Sequence, residues 1–125
     1  MRKGYGRMKK ELQQMLKENG FEVMNTMDRF MQNEELYFKF LKKLTEDGNF
    51  EELKKALAGK DYQKAFGHAH TLKGVLANLG IEDAYQKIIP LVEALRHEET
   101  DGLEDRMKEF SDSYEKASKI IETLS

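Results

Sequence analysis

The sequence contains no cysteine, only one proline and no long apolar run. Without cysteine the chain forms no disulfide, binds no metal through a thiolate and has no cysteine nucleophile. No apolar stretch approaches the roughly 20 residues that span a bilayer. The basic first ten residues are not followed by the apolar region of a secretory signal. We therefore expect a cytoplasmic protein that has no membrane partner.

An excess of charge of one sign is also missing. The formal net charge is −2, although 35% of the 125 residues are charged. This balance provides no basic field for nucleic acid, so no nucleic-acid partner is expected. Apolar residues make up 39% of the chain, enough for one modest core. We expect a single domain over residues 8–125, preceded by a flexible tail over residues 1–7.

Strand signals are nearly absent, and helix-forming residues dominate the chain. The apolar spacing predicts helices over residues 8–19, 21–31, 34–59, 61–79, 81–98 and from 100 or 101 to the end. Whether residues 34–59 form one kinked helix or two is left open. Short connections favour antiparallel neighbours. The predicted fold is therefore all-α: an up-and-down antiparallel four-helix bundle with additional short N-terminal helices.

Local signals mark several helix ends and buried faces. Asn33 and Asp61 are predicted N-caps, and Gly80 is a predicted helix stop. Pro90 lies inside a predicted helix and should kink it. In the predicted helices on either side of Asn33, the apolar residues expected to face inward are Val23, Met27, Phe30, Met31, Leu36, Phe40 and Leu44.

Three residues of the helix predicted over 61–79 share one face. His70, Lys73 and Gly74 stand at i, i+3 and i+4. A neutral imidazole nitrogen can attack a phosphoryl group, and an unperturbed histidine is largely neutral near pH 7. Lys73 places a cation one turn away, and Gly74 leaves space for an approaching partner. Taken singly, each has an ordinary alternative: a structural histidine, a solvated lysine and a tight helix–helix contact.

The run Ala69-His70-Thr71-Leu72-Lys73-Gly74, followed by Asn78-Leu79-Gly80, resembles the histidine-containing phosphotransfer (HPt) domain of multistep two-component phosphorelays. The resemblance implies that His70 is phosphorylated, that Lys73 stabilises the phosphoryl charge and that Gly74 gives a partner access. The implied partners are response-regulator receiver domains, with a hybrid histidine kinase as a further candidate. In that family the receiver holds the aspartate and its Mg²⁺, so no intrinsic cofactor is expected.

The sequence departs from the family pattern at one position. Some members carry a glutamine or glutamate on the following helix that hydrogen-bonds the imidazole. An ungapped register places Val92 there, and Gln86 and Glu93 are the two alternatives for this role.

The other two histidines point to no metal site. His68 lies about 200° around the helix from His70, so the two share no face, and it is interpreted as a surface residue. His97 lies near a helix C-terminus, where the dipole favours a histidine. No His-Glu-x-x-His pattern is present, and no metal site is predicted.

The resulting functional hypothesis is a phosphocarrier that moves a phosphoryl group between receiver aspartates through His70. It is not expected to be an enzyme, because the sequence has no Gly-rich phosphate loop or nucleotide box of a kinase. The alternative is a helical adaptor that docks receiver-like partners without being phosphorylated. We expect a monomer.

Overall fold

The computed structural model describes residues 8–124, and the tail expected at residues 1–7 lies outside them. The described part contains seven α-helices and no strand: α1 (Lys10–Glu18), α2 (Met24–Arg29), α3 (Glu34–Thr45), α4 (Asn49–Ala58), α5 (Tyr62–Leu79), α6 (Glu82–Arg96) and α7 (Leu103–Glu122). The all-α prediction is therefore confirmed.

Helix α5 contacts three other helices of the bundle. It packs against α4 on one side and α6 on the other, while α7 packs against α6, and α3 contacts both α5 and α7. The question left open over residues 34–59 is resolved in favour of two helices. Asp47 lies between the two helices, and its Oδ1 accepts hydrogen bonds from the Asn49 backbone N–H and side-chain amide, both at 2.7 Å, at the beginning of α4.

The predicted caps are confirmed. The Asn33 side chain accepts a hydrogen bond from the Leu36 backbone N–H at 3.1 Å, and Asp61 accepts one from the Lys64 N–H at 3.2 Å. These bonds satisfy amide groups that have no partner within the helix. Gly80 ends α5 in the left-handed region, with φ +71°.

Several boundaries and two buried positions differ from the predictions. Helix α2 spans only six residues, since the backbone turns left-handed at Met31, with φ +57°. Met31 was predicted to face inward, which is wrong, because 71% of it is exposed. Phe40 was also predicted to be buried and is 39% exposed.

Helix α7 begins at Leu103, after the left-handed Gly102, instead of at residue 100 or 101. Helix α6 continues through Pro90 without interruption, and the predicted kink stays a prediction.

The N-terminal segment is attached to the turn between α5 and α6. The Glu22 backbone N–H donates to the Gly80 carbonyl at 2.6 Å, and the Asp83 N–H donates to the Gly20 carbonyl at 3.0 Å. The Arg29 guanidinium donates to the Asn78 carbonyl at 3.0 Å and to the Ala77 carbonyl at 3.1 Å. A cation here satisfies carbonyls at the C-terminus of α5, where the helix dipole favours it.

Two buried tyrosines connect α3 to its neighbours. The Tyr37 hydroxyl donates to the Leu79 carbonyl at 2.8 Å, and the Tyr114 hydroxyl donates to the Leu44 carbonyl at 3.4 Å. Burial raises the pKa of Tyr114 to about 12, and it raises the pKa of Tyr37 as well. Both phenols therefore stay protonated at neutral pH and keep donating these bonds, which hold α3 against α5 and α7.

Asp83 connects α6 to α7 through a charged hydrogen bond. The Ser113 hydroxyl donates to Asp83 Oδ2 at 2.5 Å, and the Lys87 ammonium lies 3.1 Å from the same carboxylate. The Ser113 hydrogen bond and, after it, the Lys87 charge hold the pKa of Asp83 below its ordinary range. This carboxylate therefore stabilises the fold in its ionised form.

Replacing Asp83 by asparagine should lower the free energy of unfolding at pH 7 by about 1 kcal/mol or less, because nearly half of the side chain is solvated. A carboxylate whose pKa is lowered in the fold contributes stability above the unfolded pKa of about 4 and loses it as the pH falls through the lower folded value. Urea unfolding curves of wild type and Asp83→Asn should therefore differ at pH 7 and converge as the pH falls below the lowered folded pKa of Asp83.

Asp112→Asn is the matched control for this prediction. Asp112 also forms an i,i+4 ion pair, with Lys108 at 3.0 Å, but the pair lies on the exposed surface of α7. Its loss should change stability little at either pH. An equal pH dependence in the two variants would contradict the role given to the Ser113 hydrogen bond.

Candidate functional site

His70 is exposed near the middle of α5. The opposite face of the helix is fully apolar and packs into the core through five residues: Ala65, Ala69, Leu72, Leu76 and Leu79. Burial of this stripe fixes the rotation of α5 about its axis. The histidine is consequently held toward solvent on a rigid element instead of a loop.

The ring of His70 has one side-chain neighbour of note, Phe66 in the preceding turn. The ring centroids are 5.6 Å apart and the planes are inclined by 36°. Across residues 8–124, no hydrogen bond involves either ring nitrogen of His70. The lone pair of the neutral imidazole is thus free to attack an incoming electrophile.

Lys73 lies one turn beyond His70 and is half-buried. Within the described part of the chain, no carboxylate lies within ion-pair distance of its ammonium group. Side chains of a helix tilt toward its N-terminus, so Lys73 leans toward His70. The cation is placed as the sequence predicts, although its role in charge stabilisation stays a prediction.

Gly74 is exposed, and a methyl group built on its Cα meets nothing within 4 Å beyond the local helix. The tight helix–helix contact considered for this residue is therefore ruled out by the structure. Gly67, three residues before His70, is equally exposed and equally clear of neighbours. The histidine has an open glycine on either side along its own helix face. Of the two glycines, only Gly74 was predicted to give a partner access.

An open groove runs beside Gly74, between α3 and α5, with a volume of about 490 Å³. The partly exposed Phe40 lines it, with the Lys43 ammonium 5.4 Å from the ring centroid. This position explains why Phe40 is not in the core: its ring packs on Phe30 at 5.5 Å and forms part of the groove wall. The groove therefore combines an apolar lining with one basic residue, Lys43, and one acidic residue, Asp47.

Gln86 and Glu93, the two residues proposed to hydrogen-bond the imidazole, lie at different levels of α6 relative to His70. Phe66 on α5 contacts Arg96 on α6, and a two-residue turn joins these helices, so α6 returns alongside α5. His70 lies four residues after Phe66 on α5, and Val92 lies four residues before Arg96 on α6, so Val92 is level with His70. Val92 is fully buried. Glu93 is adjacent to this level, whereas Gln86 lies about 9 Å further along the helix axis.

Both of those side chains have other partners. The Gln86 amide donates to Glu82 at 2.6 Å, and the structure does not bring it to His70. Glu93 lies 3.2 Å from the Arg96 guanidinium and 3.6 Å from His97 Nε2. Within the part of the chain that the structure describes, neither residue hydrogen-bonds the imidazole of the free protein. The role of Glu93 as an imidazole partner stays a prediction.

The two remaining histidines have separate local roles. His68 is half-buried, and its Nδ1 lies 2.8 Å from the Asn49 side-chain oxygen, which connects α5 to the beginning of α4. Its interpretation as a plain surface residue is therefore corrected. His97 is the C-cap of α6, as its predicted position near a helix C-terminus requires. Among residues 8–124, no group of three or more histidines and carboxylates is arranged to hold a metal ion.

Sequence reasoning missed Phe66 and Arg96 as neighbours of the candidate site. The apolar spacing of α5 is compatible with an inward-facing Phe66, but this residue is only half-buried and lies against His70. The i,i+4 spacing of Phe66 and His70 was visible in the sequence. Nothing in the sequence connected Arg96 to them, because its guanidinium reaches Phe66 from another helix, 5.1 Å from the ring centroid.

A protein-family model described as "Hpt domain" matches residues 35–119, well over half of the chain. The match includes the face that carries His70 and leaves α1 and α2 outside it. No curated protein and no solved structure matches the chain. Over the described residues, no helix combines the length and the apolar character needed to cross a membrane.

Proposed function

Since the chain belongs to the Hpt domain family and is therefore a phosphorelay phosphocarrier domain, we propose that it carries the phosphoryl group on His70. The group moves between aspartates of response-regulator receiver domains, and a hybrid histidine kinase is a further candidate partner. The domain acts as a monomer in the cytoplasm and has no kinase activity of its own. The aspartate and its Mg²⁺ belong to the receiver, and the carrier needs no metal.

One observation carries this proposal: an exposed imidazole that makes no hydrogen bond within residues 8–124 lies on a rigid helix face, beside a glycine whose added Cβ would meet no described neighbour within 4 Å. A structural histidine would be expected to have a partner or to be buried. A glycine within a helix costs about 1 kcal/mol relative to alanine, and no packing contact here explains that cost. Access for a large partner explains both features.

The transfer reaction requires only groups that this face and a receiver supply. A ring nitrogen of neutral His70 attacks the phosphorus of the receiver's aspartyl phosphate. The N–P bond forms as the P–O bond breaks, and the aspartate leaves as a carboxylate. The proton on the other ring nitrogen is then free to leave to solvent. Lys73 offsets the negative charge of the phosphoryl oxygens, and the reverse reaction delivers the group to the next receiver.

The test is phosphoryl transfer from a panel of phosphorylated receiver domains in the presence of Mg²⁺. The proposal predicts label on the carrier that is labile in acid and stable in alkali, as a phosphoramidate bond is. ATP alone should leave the protein unlabelled. Receiver binding without transfer from any member of a broad panel would instead support the helical adaptor, and labelling by ATP alone would indicate a kinase.

Replacing Gly74 by glutamine should block receiver docking while leaving the fold intact. A Cβ added at Gly74 meets nothing within 4 Å beyond the local helix, so the glutamine can be accommodated while its side chain occupies the surface that a partner must approach. We expect receiver affinity to fall at least tenfold, about 1.4 kcal/mol. Binding can be followed by calorimetry with a receiver that transfers to wild type.

Gly74→Ala is the matched control for that prediction. Alanine also removes the helix penalty of glycine, so both variants should melt at or above the wild-type temperature. Alanine adds only a methyl group and should leave binding close to wild type. Normal affinity in Gly74→Gln would show that the partner does not approach along this part of α5.

A further inference from the structure

Phe66 carries two different side chains against its ring. The imidazole of His70 lies with its centroid 5.6 Å from the phenyl centroid, and the Arg96 guanidinium lies 5.1 Å from the same centroid. The candidate phosphoacceptor and an arginine from α6 therefore share one aromatic platform. Planar guanidinium groups pack well on such a ring, and the cation is attracted to its face.

The direction of the helices brings these side chains toward each other. In an α-helix, the Cα–Cβ bonds tilt toward the N-terminus. His70 therefore leans toward Phe66. Helix α6 runs back alongside α5, so Arg96 leans from the level of Phe66 toward the level of His70. Lys73, one turn after His70, leans toward it from the C-terminal side of α5.

In the free protein, Arg96 forms a weak ion pair with Glu93. Arg96 Nε lies 3.2 Å from Glu93 Oε2, and both side chains are more than 40% exposed. Exposed ion pairs contribute little to stability, so this one exchanges easily. Glu93 remains solvated when Arg96 departs, because 47% of its side chain is exposed.

A phosphoryl group on His70 would be the stronger partner for this guanidinium. It presents three acceptor oxygens and a charge of about −1.5 to −2 at pH 7. Arginine binds such a group through two parallel N–H donors, which a lysine cannot provide. The single Glu93 oxygen that contacts Arg96 in the free protein is a weaker acceptor, because the pair is exposed to solvent.

We propose that Arg96 is a second phosphoryl-binding residue: when His70 is phosphorylated, the guanidinium leaves Glu93, moves across Phe66 and binds the phosphoryl oxygens. Lys73 then neutralises charge from one side as a point cation, and Arg96 binds from the other side through its fork of donors. The inference rests on the proposed phosphorylation of His70. It predicts an arginine switch between the free and phosphorylated forms.

The test uses phosphoramidate as a small phosphodonor, so no receiver is needed. A ring nitrogen of His70 attacks the phosphorus, the P–N bond of the donor breaks, and ammonia leaves with the proton. The arginine Nε–H resonances are then recorded by ¹H–¹⁵N NMR before and after phosphorylation. The Arg96 resonance should shift, while those of Arg29 and Arg106, which donate to backbone carbonyls elsewhere, should not.

A second readout is the pKa of the phosphoryl group, obtained from a ³¹P NMR titration. A bound cation lowers that pKa, so Arg96→Gln should raise it by about half a unit. Arg96→Lys keeps the charge without the fork and should fall between the two. Arg106→Gln, which removes an arginine of α7, should match wild type. A merely structural role of Arg96 would change the melting temperature but not this pKa.

These measurements distinguish failure of the arginine switch from failure of the proposed phosphocarrier function. If His70 is phosphorylated but the Arg96 resonance and the phosphoryl pKa of Arg96→Gln are unchanged, the arginine switch is wrong and the proposed function stands. If folded wild-type protein takes no phosphoryl group on His70 from phosphoramidate, the switch and the proposed carrier function both fail.

Discussion

Replacing His70 by glutamine should abolish phosphoryl transfer to this protein while its fold and its binding to receivers persist. Glutamine has similar length and polarity but no nucleophilic ring nitrogen, so no N–P bond can form. His70 is exposed and makes no hydrogen bond within residues 8–124, so its loss should change the free energy of unfolding by no more than about 0.5 kcal/mol. The measurement is transfer of label from a phosphorylated receiver that labels wild type.

The chain offers matched controls for this result, because it contains only two other histidines. His68→Gln and His97→Gln should both retain label. The first change removes the imidazole bonded to Asn49, and the second removes the imidazole that lies 3.6 Å from Glu93, so each removes a side-chain contact that His70 does not have. Label that persists in His70→Gln and disappears in His68→Gln would move the phosphorylated position to the other face of α5.

The parts of the fold that could be predicted are those governed by local chemistry. The caps at Asn33 and Asp61 depend on a side-chain oxygen three residues before an amide, and the helix stop at Gly80 depends on a left-handed backbone. The exposure of His70 follows from the apolar stripe on the opposite face of α5. Each of these signals lies within a few residues of its effect.

The predictions that failed depend on contacts between distant parts of the chain. Phe40 fits the inward spacing of α3, but the structure places it at the wall of a groove against Phe30. Met31 fits the spacing of α2, but the helix has already ended. Arg96 reaches the candidate site only through α6 packing beside α5. No local pattern encodes these arrangements.

The Asn78-Leu79-Gly80 segment shows how a family motif can serve structure as well as access to the site. All three residues use their backbone carbonyls to hold other elements: Asn78 accepts from Arg29, Leu79 from Tyr37 and Gly80 from Glu22. The segment ends the helix that carries His70. Its hydrogen bonds hold the N-terminal segment and α3 against the end of this helix. Its role in this chain is thus to fix the end of α5 against the rest of the bundle.

Gly80→Ala should be the most destabilising small substitution at this turn. Gly80 has φ +71°, where a non-glycine residue costs about 1–2 kcal/mol. An added Cβ would also lie 2.5 Å from the Glu22 carbonyl oxygen and against the Thr26 side chain, with backbone on one side that cannot rotate away. Relieving this overlap costs about 1–3 kcal/mol more, so a total loss of about 2–5 kcal/mol is expected in urea unfolding.

Gly102→Ala separates the two causes of that loss. Gly102 has nearly the same backbone conformation, φ +75°, but an added Cβ meets only the flexible end of Arg106, at 3.3 Å. It should therefore cost only the conformational penalty of about 1–2 kcal/mol. Because the added methyl of Gly80→Ala pushes on the segment that carries α1 and α2, amide exchange in those helices should increase first. Equal losses in the two variants would show that the N-terminal segment is not tightly held against the end of α5.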